Sequence, residues 1–412
     1  MVATSVYRFV LAACAAGIPV WSCSAQLCGE IEDLGILPGG LSSRAFGVSG
    51  DGEIVVGLSS NATSTQRAWR WERASGLLDL GTMGGMNAIA RAVTPDGLAI
   101  VGQSINPWGQ PHAFLLQSGY TMQDLGSIMH PTHYGMSEAF AVSADGSVVV
   151  GTSETEVSGQ FDAFRWGTAT GMQGLGLYQG QASGVSADGS VIVGHHGSPP
   201  RAFRWTAESG LTDLGMLPGH EHAFATAVSA DGSVIVGWVR NSLGSMDQAF
   251  RWTAETGMVS LGAMAGTSMS VATGVSADGS VVVGYAFSSG SSQKAFRWTA
   301  TSGMQPVGTL GGNRSVGLAV SGDGRVVAGS STRSPLSSTY VAFRWEARPN
   351  VADYNGDYFL EIIDFLDFLD DFATCDQQPV PCGTGGNPDR NGDTFVDVLD
   401  FLDFIDAFAE GC

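Results

Sequence analysis

Short apolar runs separated by Asp-Gly pairs recur along most of the chain. In a typical copy, residues 184–194, small and β-branched residues flank Asp188-Gly189 on both sides. Asp and Gly tolerate the backbone of a tight turn, so the pattern predicts two antiparallel strands joined as a hairpin. Seven copies occur, 43 to 49 residues apart, with the turn aspartate at Asp51, Asp96, Asp145, Asp188, Asp231, Asp278 and Asp323.

Two further boxes predict two more strands in each copy. An Ala-aromatic-Arg-Trp box follows the hairpin, as at residues 163–166 and 249–252, and weakens to Ala113-Phe114-Leu115-Leu116 in the second copy. A Leu-Gly box precedes the hairpin, at Leu34-Gly35, Leu80-Gly81, Leu125-Gly126, Leu175-Gly176, Leu214-Gly215, Leu261-Gly262 and Val307-Gly308. Four strands repeating every ~40–50 residues are typical of a β-propeller.

The phase of the repeat predicts how the ring closes. The first copy begins with a Leu-Gly strand that has no earlier partner, and the last copy ends at Trp345 without a later one. We therefore predict an all-β, seven-bladed β-propeller over residues 26–347, closed by the N-terminal strand. The strand before each Asp-Gly turn is rich in Ala, Gly, Val and Ser, so we expect it to be innermost.

The repeat resembles the extracellular HAF repeat family, named for a His-Ala-Phe triplet that this chain carries at His112-Ala113-Phe114. The resemblance covers about residues 31–347. The resemblance implies that this is an exported repeat protein, and it implies no particular activity.

An arginine occupies six of the seven aromatic boxes: Arg70, Arg165, Arg204, Arg251, Arg297 and Arg344. These arginines could form a ring of anion sites, or each could pair with a turn aspartate or a backbone carbonyl. An active site breaks the symmetry of a ring, whereas a structural bond respects it. We therefore predict the structural role.

The predicted strand order separates the connections into two faces. The Asp-Gly turns and the short loops after the aromatic boxes share one face. The other, the variable face, carries links that differ in length and chemistry, and such loops are where binding usually resides. These links include residues 104–110 with Trp108, 126–137, 195–200 and 218–222.

All seven histidines lie in or beside the variable links: His112, His130, His133, His195, His196, His220 and His222. Three sets could gather around a metal, although no helical His-Glu-x-x-His spacing is present: His130 with His133, His195 with His196, and His220-Glu221-His222. The sequence contains no Gly-x-Ser-x-Gly elbow, phosphate loop or nucleotide fingerprint, so we predict no catalytic residue.

The C-terminal segment carries the same pattern of oxygen ligands twice. Calcium prefers several hard oxygens at alternate positions of a twelve-residue loop, with a carbonyl at the seventh. The pattern predicts two calcium ions, bound by Asp353, Asn355, Asp357, Phe359, Glu361 and Asp364, and by Asp389, Asn391, Asp393, Phe395, Asp397 and Asp400. Tyr358 and Thr394 replace the usual sixth-position glycine, which could weaken affinity.

An amphipathic helix is predicted after each loop, from Phe365 and from Phe401. Two calcium loops, each followed by one helix, resemble a dockerin module, and the ending Gly411-Cys412 is similar to the GC-type subgroup. The resemblance covers about residues 351–412 and implies a small α-helical module that docks calcium-dependently to a cohesin-like partner or surface scaffold. Candidate contact residues are Ile362, Ile363, Val398 and Leu399.

The N-terminus predicts export. Residues 1–25 combine Arg8, an apolar run and a small-residue end at Cys23-Ser24-Ala25, typical of a signal peptide cleaved before Gln26. Leu11-Ala12-Ala13-Cys14 leaves lipoprotein processing as an alternative. No other run is long enough to span a membrane. The cysteines after cleavage, Cys28, Cys375, Cys382 and Cys412, favour two disulfides with open pairing.

The charge distribution sets the tail apart. The net charge is −20, and residues 348–412, a linker at 348–352 and the module at 353–412, carry −13 of it. Such an acidic chain is unsuited to nucleic acid, whose phosphates require Lys and Arg.

Three functions remain open from the sequence. The first is a secreted or surface-displayed, non-catalytic binding protein whose propeller holds an unknown ligand and whose tail docks it. The second is a secreted polysaccharide-active enzyme recruited by the same tail. The third is a structural coat component. Exposed clustered carboxylates on the variable face would favour the enzyme; scattered polar and aromatic residues would favour binding.

Overall fold

The structure is a computed structural model that describes residues 26–27, 29–117, 121–129, 134–157, 159–242, 247–288, 292–347 and 359–360. The chain divides into two units. One is Ile31–Glu346, and the other combines Met1–Glu30 with Ala347–Cys412.

The described residues form antiparallel strands throughout. The first two strands are β1 (Gln26–Leu27) and β2 (Gly29–Gly35). Six four-stranded blades of consecutive strands follow. Blades 1 to 3 are β3 (Ser43–Val48), β4 (Ile54–Ser60), β5 (Gln66–Glu72), β6 (Gly76–Asp79); β7 (Ala88–Val93), β8 (Ile100–Ile105), β9 (Pro111–Gln117), β10 (Thr121–Asp124); and β11 (Ser137–Val142), β12 (Val148–Glu154), β13 (Phe161–Gly167), β14 (Gly171–Tyr178).

The remaining blades repeat the plan. Blades 4 to 6 are β15 (Gln181–Val185), β16 (Val191–His196), β17 (Arg201–Thr206), β18 (Gly210–Asp213); β19 (His222–Val228), β20 (Ile235–Arg240), β21 (Gln248–Thr253), β22 (Gly257–Gly262); and β23 (Met269–Val275), β24 (Val282–Phe287), β25 (Lys294–Thr299), β26 (Gly303–Pro306). Blade 7 contains β27 (Ser315–Val320), β28 (Val326–Thr332) and β29 (Tyr340–Ala347), and the final strand is β30 (Phe359–Leu360).

The N-terminal strand closes the ring. Blade 7 has the order β2-β29-β28-β27, so β2 supplies its outermost strand. Asp33 on β2 pairs with Arg333, the residue that follows β28, with 2.5 Å between Arg333 Nε and Asp33 Oδ2. The predicted seven-bladed β-propeller and its closing strand are therefore confirmed.

The first strand of every blade lines a central channel, as its small residues predict. The channel holds a cavity of about 280 Å³ bordered by all seven of these strands. At its Asp-Gly end, backbone hydrogen bonds join neighbouring blades, including Ala187 N–H to the Ala230 carbonyl at 2.9 Å and Gly322 N–H to the Gly50 carbonyl at 2.9 Å. Pro95 has no N–H to donate in this belt.

The aromatic boxes fill the space between blades. Their phenylalanines are fully buried, as is Trp69 in blade 1. The buried Arg344 donates from Nε to the Gly52 carbonyl at 2.8 Å, and Arg297 donates to the Gly324 carbonyl at 3.1 Å. Each acceptor lies in the Asp-Gly turn of a neighbouring blade, so for these two arginines the predicted structural role is confirmed.

The predicted fold class is wrong in its helical part. The prediction combined the propeller with an α-helical module, but the residues that the structure describes contain no helix. Phe359 and Leu360, inside the first predicted calcium loop, form a strand that pairs antiparallel with Gln26 and Leu27. Large apolar residues favour extended backbone, and this pairing supplies their backbone partners. The other residues of 353–412 lie outside the described ranges.

Candidate functional site

The second strand of each blade carries a glycine, and the residue after it differs between blades. At the variable-face end, this position is Leu58, Gln103, Thr152, His195, Trp238, Tyr285 and Ser330. Three consecutive blades, 4 to 6, thus place ring-bearing side chains where the other four place aliphatic or small polar ones. This break in symmetry marks a candidate site on one side of the ring.

Four side chains on blades 4 and 5, His195, Phe224, Trp238 and Arg240, form what we call the aromatic row. The His195 ring meets Phe224 edge-on, with centroids 4.9 Å apart. Phe224 and Trp238 are directly paired across β19 and β20, and their rings stack at 4.2 Å and 15°. The Arg240 guanidinium lies over the Trp238 ring, 4.7 Å from its centroid. Each member therefore restricts the rotamer of the next.

The end of the row is held by a buried carboxylate. Arg240 Nε and Nη2 donate to the two oxygens of Asp247 at 2.7 and 2.8 Å, and the Asp247 side chain is only 4% exposed. This two-point contact raises the pKa of Arg240, and the hydrogen bond to Asp247 is the main cause. It compensates the charge of the guanidinium, yet Nη1 forms no hydrogen bond with another described residue.

The titratable rings of the site are neutral at physiological pH. Burial lowers the pKa of His195 to about 4, with His196 adding a smaller effect. Burial also raises the pKa of Tyr285 above its usual value. His195 and Tyr285 therefore offer uncharged N–H and O–H groups on blades 4 and 6, on either side of Trp238 in blade 5.

The channel wall carries smaller side chains in the same three blades. At one level of its wall, blades 4 to 6 contribute the small residues Ser183, Thr226 and Thr273. The other blades contribute bulkier side chains at this level: Phe46, Arg91, Phe140 and Leu318. The channel wall thus differs between the two sides of the ring, and the cavity lining contains none of the four side chains of the aromatic row.

The bulky side of the channel is filled by its own interactions. The Arg91 guanidinium lies 4.7 Å from the Phe46 ring centroid and 5.6 Å from that of Phe140. Its Nε donates to Glu138 Oε1 at 2.6 Å. Arg91 and Glu138 form an ion pair, so both of these charges on this side of the channel are compensated.

Sequence reasoning looked for the site in the variable links and missed the strand ends that form most of it. Of the predicted positions, only His195 belongs to the row. Trp108 lies far more exposed, at 55%, on a blade 2 link. A comparison of the repeats at the position after the second-strand glycine would have found Trp238 and Tyr285.

The predicted metal candidates are not brought together. His196 packs against Phe203, with centroids 6.0 Å apart, and His220 Nδ1 lies 3.0 Å from the Pro218 carbonyl. Within the described ranges, no three His, Cys, Asp or Glu side chains are grouped so that they could hold a metal. His130 and His133 lie outside those ranges.

The predicted calcium ligands and partner contacts fall almost entirely outside the described residues. Phe359 is the exception, and only its backbone in β30 is described. The contact candidates at 362–363 and 398–399, and all four cysteines predicted to form disulfides, also lie outside. In the described part of the chain, no helix has the length and apolar character needed to cross a membrane.

Comparison with known proteins supports the fold. No protein-family model matches the chain, and no curated protein matches it. An oligogalacturonate lyase from Vibrio parahaemolyticus is 10% identical, with a TM-score of 0.54 over 79% of this chain and 97% of that one. An oligogalacturonate lyase in complex with manganese is 12% identical, with a TM-score of 0.55 over 78% and 96%.

A third structure, TolB from Acinetobacter baumannii, is 15% identical, with a TM-score of 0.46 over 62% of this chain and 63% of that one. The likeness to the two lyases shows a shared β-propeller fold. At such low identity it carries no information about ligand or reaction.

Proposed function

We propose that this chain is an exported, non-catalytic binding protein whose propeller holds an oligosaccharide on its variable face, over blades 4 to 6. The observation that carries the proposal is the aromatic row. It interrupts the symmetry of the ring on adjacent blades and is rigid before any ligand arrives, which reduces the entropy lost on binding. The proposal places the protein outside the cell or on its surface.

The chemistry of the row suits a polyhydroxylated, uncharged ligand. Trp238, Tyr285 and Arg240 Nη1 offer hydrogen-bond donors on an apolar aromatic base, and His195 is neutral. Sugar hydroxyls accept such bonds while the C–H faces of the ring pack on aromatic surface. Because Asp247 already compensates Arg240, a neutral sugar is favoured over an anionic one.

The alternative, a polysaccharide-active enzyme, receives less support from the geometry. Acid–base cleavage of a glycosidic bond needs two available carboxyl groups flanking the bond. At the end of the row, both oxygens of Asp247 accept hydrogen bonds from Arg240, and on the other side of the channel Glu138 is paired with Arg91. Partly buried aromatic and donor groups remain, and these favour binding.

A glycan array probed with the mature full-length protein tests this proposal. We expect retention on a class of neutral oligosaccharides, with a signal at least about tenfold lower for Trp238→Ala, since one lost stacking and hydrogen-bonding residue is worth about 1.4 kcal/mol or more. Trp238→Phe keeps the stack and should lose less. Trp108→Ala, an exposed tryptophan outside the row, is the matched control.

Two results would count against the proposal. One is a variant-insensitive signal, in which Trp238→Ala binds as strongly as the wild type. The other is binding to no glycan by wild-type protein that melts cooperatively. Circular dichroism of each variant separates loss of the site from loss of the fold.

We further propose that the two acidic repeats, residues 353–364 and 389–400, bind calcium and attach the protein to a cohesin-like partner. The support is the repetition of one oxygen-ligand pattern 36 residues apart in a segment that carries most of the net charge. The resemblance to GC-type dockerins supplies the class of partner.

A pull-down from secreted and envelope fractions tests this attachment. We expect one partner to be captured in calcium and released by chelator, because the carboxylates need the ion to adopt one arrangement. Asp353→Ala combined with Asp389→Ala should abolish capture. Asp188→Ala, a turn aspartate of the propeller, is the control, and capture that ignores both calcium and the double variant would refute the proposal.

A further inference from the structure

The first strand of blade 1 carries a charge that its counterparts in the other blades lack. The residue that pairs with Leu58, just after the second-strand glycine, is Arg44. The equivalent residues of blades 2 to 7 are Ile89, Glu138, Gln181, Phe224, Val271 and Val316. Among these described positions, only that of blade 1 holds a cation.

Arg44 differs from Arg240 in having no acidic partner. Arg240 is paired with Asp247, whereas Arg44 is exposed and forms no ion pair with another residue in the described ranges. The Arg44 guanidinium instead lies over the ring of Tyr340 in blade 7, 5.1 Å from its centroid. Because a guanidinium is charged at any physiological pH, Arg44 presents a lasting positive charge with several N–H donors.

Tyr340 is fixed in place on both sides of its backbone and ring. Its hydroxyl donates to Gln293 Oε1 of blade 6 at 3.2 Å. Its backbone pairs with Thr332 across β28 and β29, and Thr332 in turn donates its N–H to the Arg314 carbonyl at 2.9 Å. The ring that carries the Arg44 guanidinium is therefore held before any ligand arrives.

Further positive charge lies near this pair. Arg314 and Lys294, which follows Gln293, are both exposed, and neither forms an ion pair within the described part of the chain. The links at 36–42, 308–314 and 333–339 contain no Asp or Glu, although the chain has 39 acidic residues against 19 basic ones. This part of the variable face is therefore locally positive on an acidic protein, and it attracts anions.

Partly buried rings connect this region with the aromatic row. Burial is the main cause that raises the pKa of Tyr285, and Asp247 and Tyr340 raise it further through their charges. Tyr285 therefore lies within electrostatic range of the carboxylate that holds the row and of Tyr340. Its ring also stacks on Phe287, with centroids 6.0 Å apart. Blades 6 and 7 thus continue the ring-bearing surface from the row toward blade 1.

We propose that the oligosaccharide of the aromatic row extends over blades 6 and 7 and carries an anionic group, a carboxylate or a sulfate, that binds Arg44. This inference rests on the function proposed above and specifies its ligand: a neutral unit lies on the row, and an acidic unit lies on blades 7 and 1. The planar guanidinium matches two oxygens of one anion. Continuity with the row favours a sugar chain over an acidic peptide.

Matched pairs of glycans test the proposal. Acidic oligosaccharides are placed on the array in native form and after carboxyl reduction or desulfation, which removes the charge and keeps the sugar chain. We expect the full-length mature protein to bind the native form of its preferred glycan at least about fivefold more tightly than the neutral form. The two treatments distinguish a carboxylate from a sulfate, and higher salt should reduce the preference.

Substitutions of Arg44 assign the preference to one side chain. Arg44→Gln should bind the native and neutral forms equally, and Arg44→Lys should keep part of the preference, because it retains the charge without the planar donors. Arg73→Gln, in a loop on the Asp-Gly face, removes the same charge and is the matched control with the full preference. The preference is a ratio measured within one variant, so a loss of folded protein does not imitate its disappearance.

The outcomes separate this inference from the function on which it rests. Binding that Trp238→Ala weakens, but that shows no preference for the anionic form or keeps the preference in Arg44→Gln, overturns the inference and leaves the row as the site. An equal loss of preference in Arg73→Gln also overturns it, since net charge would then be the cause. Binding to no glycan, or binding that ignores Trp238→Ala, refutes the proposed function and this inference together.

Discussion

At the scale of single residues, the Asp-Gly turns owe their uniformity to one hydrogen-bonded unit. In blade 5, Ser229 Oγ donates to Asp231 Oδ1 at 2.6 Å and accepts the backbone N–H of Val234 at 2.9 Å. The Ser233 N–H and hydroxyl also donate to Asp231. The hydroxyl of Ser229 is the main cause that lowers the pKa of Asp231 to about 2.

The turns predict how stability depends on pH. The pKa of Asp145, Asp188 and Asp231 is lowered from 3.8 to about 2 by the same contacts. The folded state therefore binds fewer protons than the unfolded state between these values. The contribution of the turns is fully present above about pH 4 and is lost as pH falls toward 2.

Ser229→Ala tests this unit. We expect the free energy of unfolding at pH 7 to fall by about 1–3 kcal/mol, because the buried Val234 N–H loses its acceptor. We also expect stability to vary less between pH 4 and 2, since the pKa of Asp231 rises. Urea unfolding at pH 7, 4 and 3 measures both effects. Ser233→Ala removes the hydroxyl that lowers the pKa of Asp231 less, so it should reduce the free energy of unfolding by less than Ser229→Ala does. An equal or larger reduction would contradict the leading role of Ser229.

At the scale of strands, the third strand of a blade fastens that blade to its neighbour. Arg344 on β29 donates to the Gly52 carbonyl and Glu53 of blade 1, and to Glu346 on its own strand at 2.8 Å. These contacts join the last blade to the first. The Arg344 side chain is 2% exposed, whereas Glu53 is 51% and Glu346 25% exposed, so loss of the arginine leaves the Gly52 carbonyl as the buried acceptor without its donor.

Arg344→Met measures the strength of this fastening. We expect a loss of about 1–3 kcal/mol in the free energy of unfolding, because the buried Gly52 carbonyl loses its hydrogen-bond donor. The matched variant Arg251→Met, at the same place in blade 5, removes no hydrogen bond to another described residue and should cost less than about 1 kcal/mol. Equal losses in the two variants would show that Arg344 acts only through packing.

An element could be predicted from the sequence where the residues that determine it lie close to it in the chain. The four strands of each repeat could be predicted because turn chemistry and β-branched residues lie within a few positions of each strand. The helical part of the fold was predicted from the apolar spacing after each calcium loop and from the resemblance to a dockerin module. The pairing of Phe359–Leu360 with Gln26–Leu27 joins segments that are far apart in the chain. Local sequence patterns therefore do not indicate it.

At the scale of the whole molecule, the seven blades repeat one strand plan, and the candidate site is where the side chains of blades 4 to 6 differ from those of the other blades. The closing strand β2 could be predicted because the first copy begins with a strand that has no earlier partner and the last copy lacks its fourth strand. The aromatic row could not be predicted from motifs, since His195, Phe224 and Trp238 come from different strands and meet only in the folded ring. Its signal was present in the sequence as variation between aligned repeats.

The measurement that tests the central claim most directly is a crystal structure of the mature protein with an oligosaccharide selected on the array. We expect a sugar ring within about 4 Å of the Trp238 or Tyr285 side chain and a hydroxyl hydrogen-bonded to Arg240 Nη1. Sugar density at the link of Trp108, at the outer strands, or on the Asp-Gly face, with the aromatic row empty, would contradict the claim.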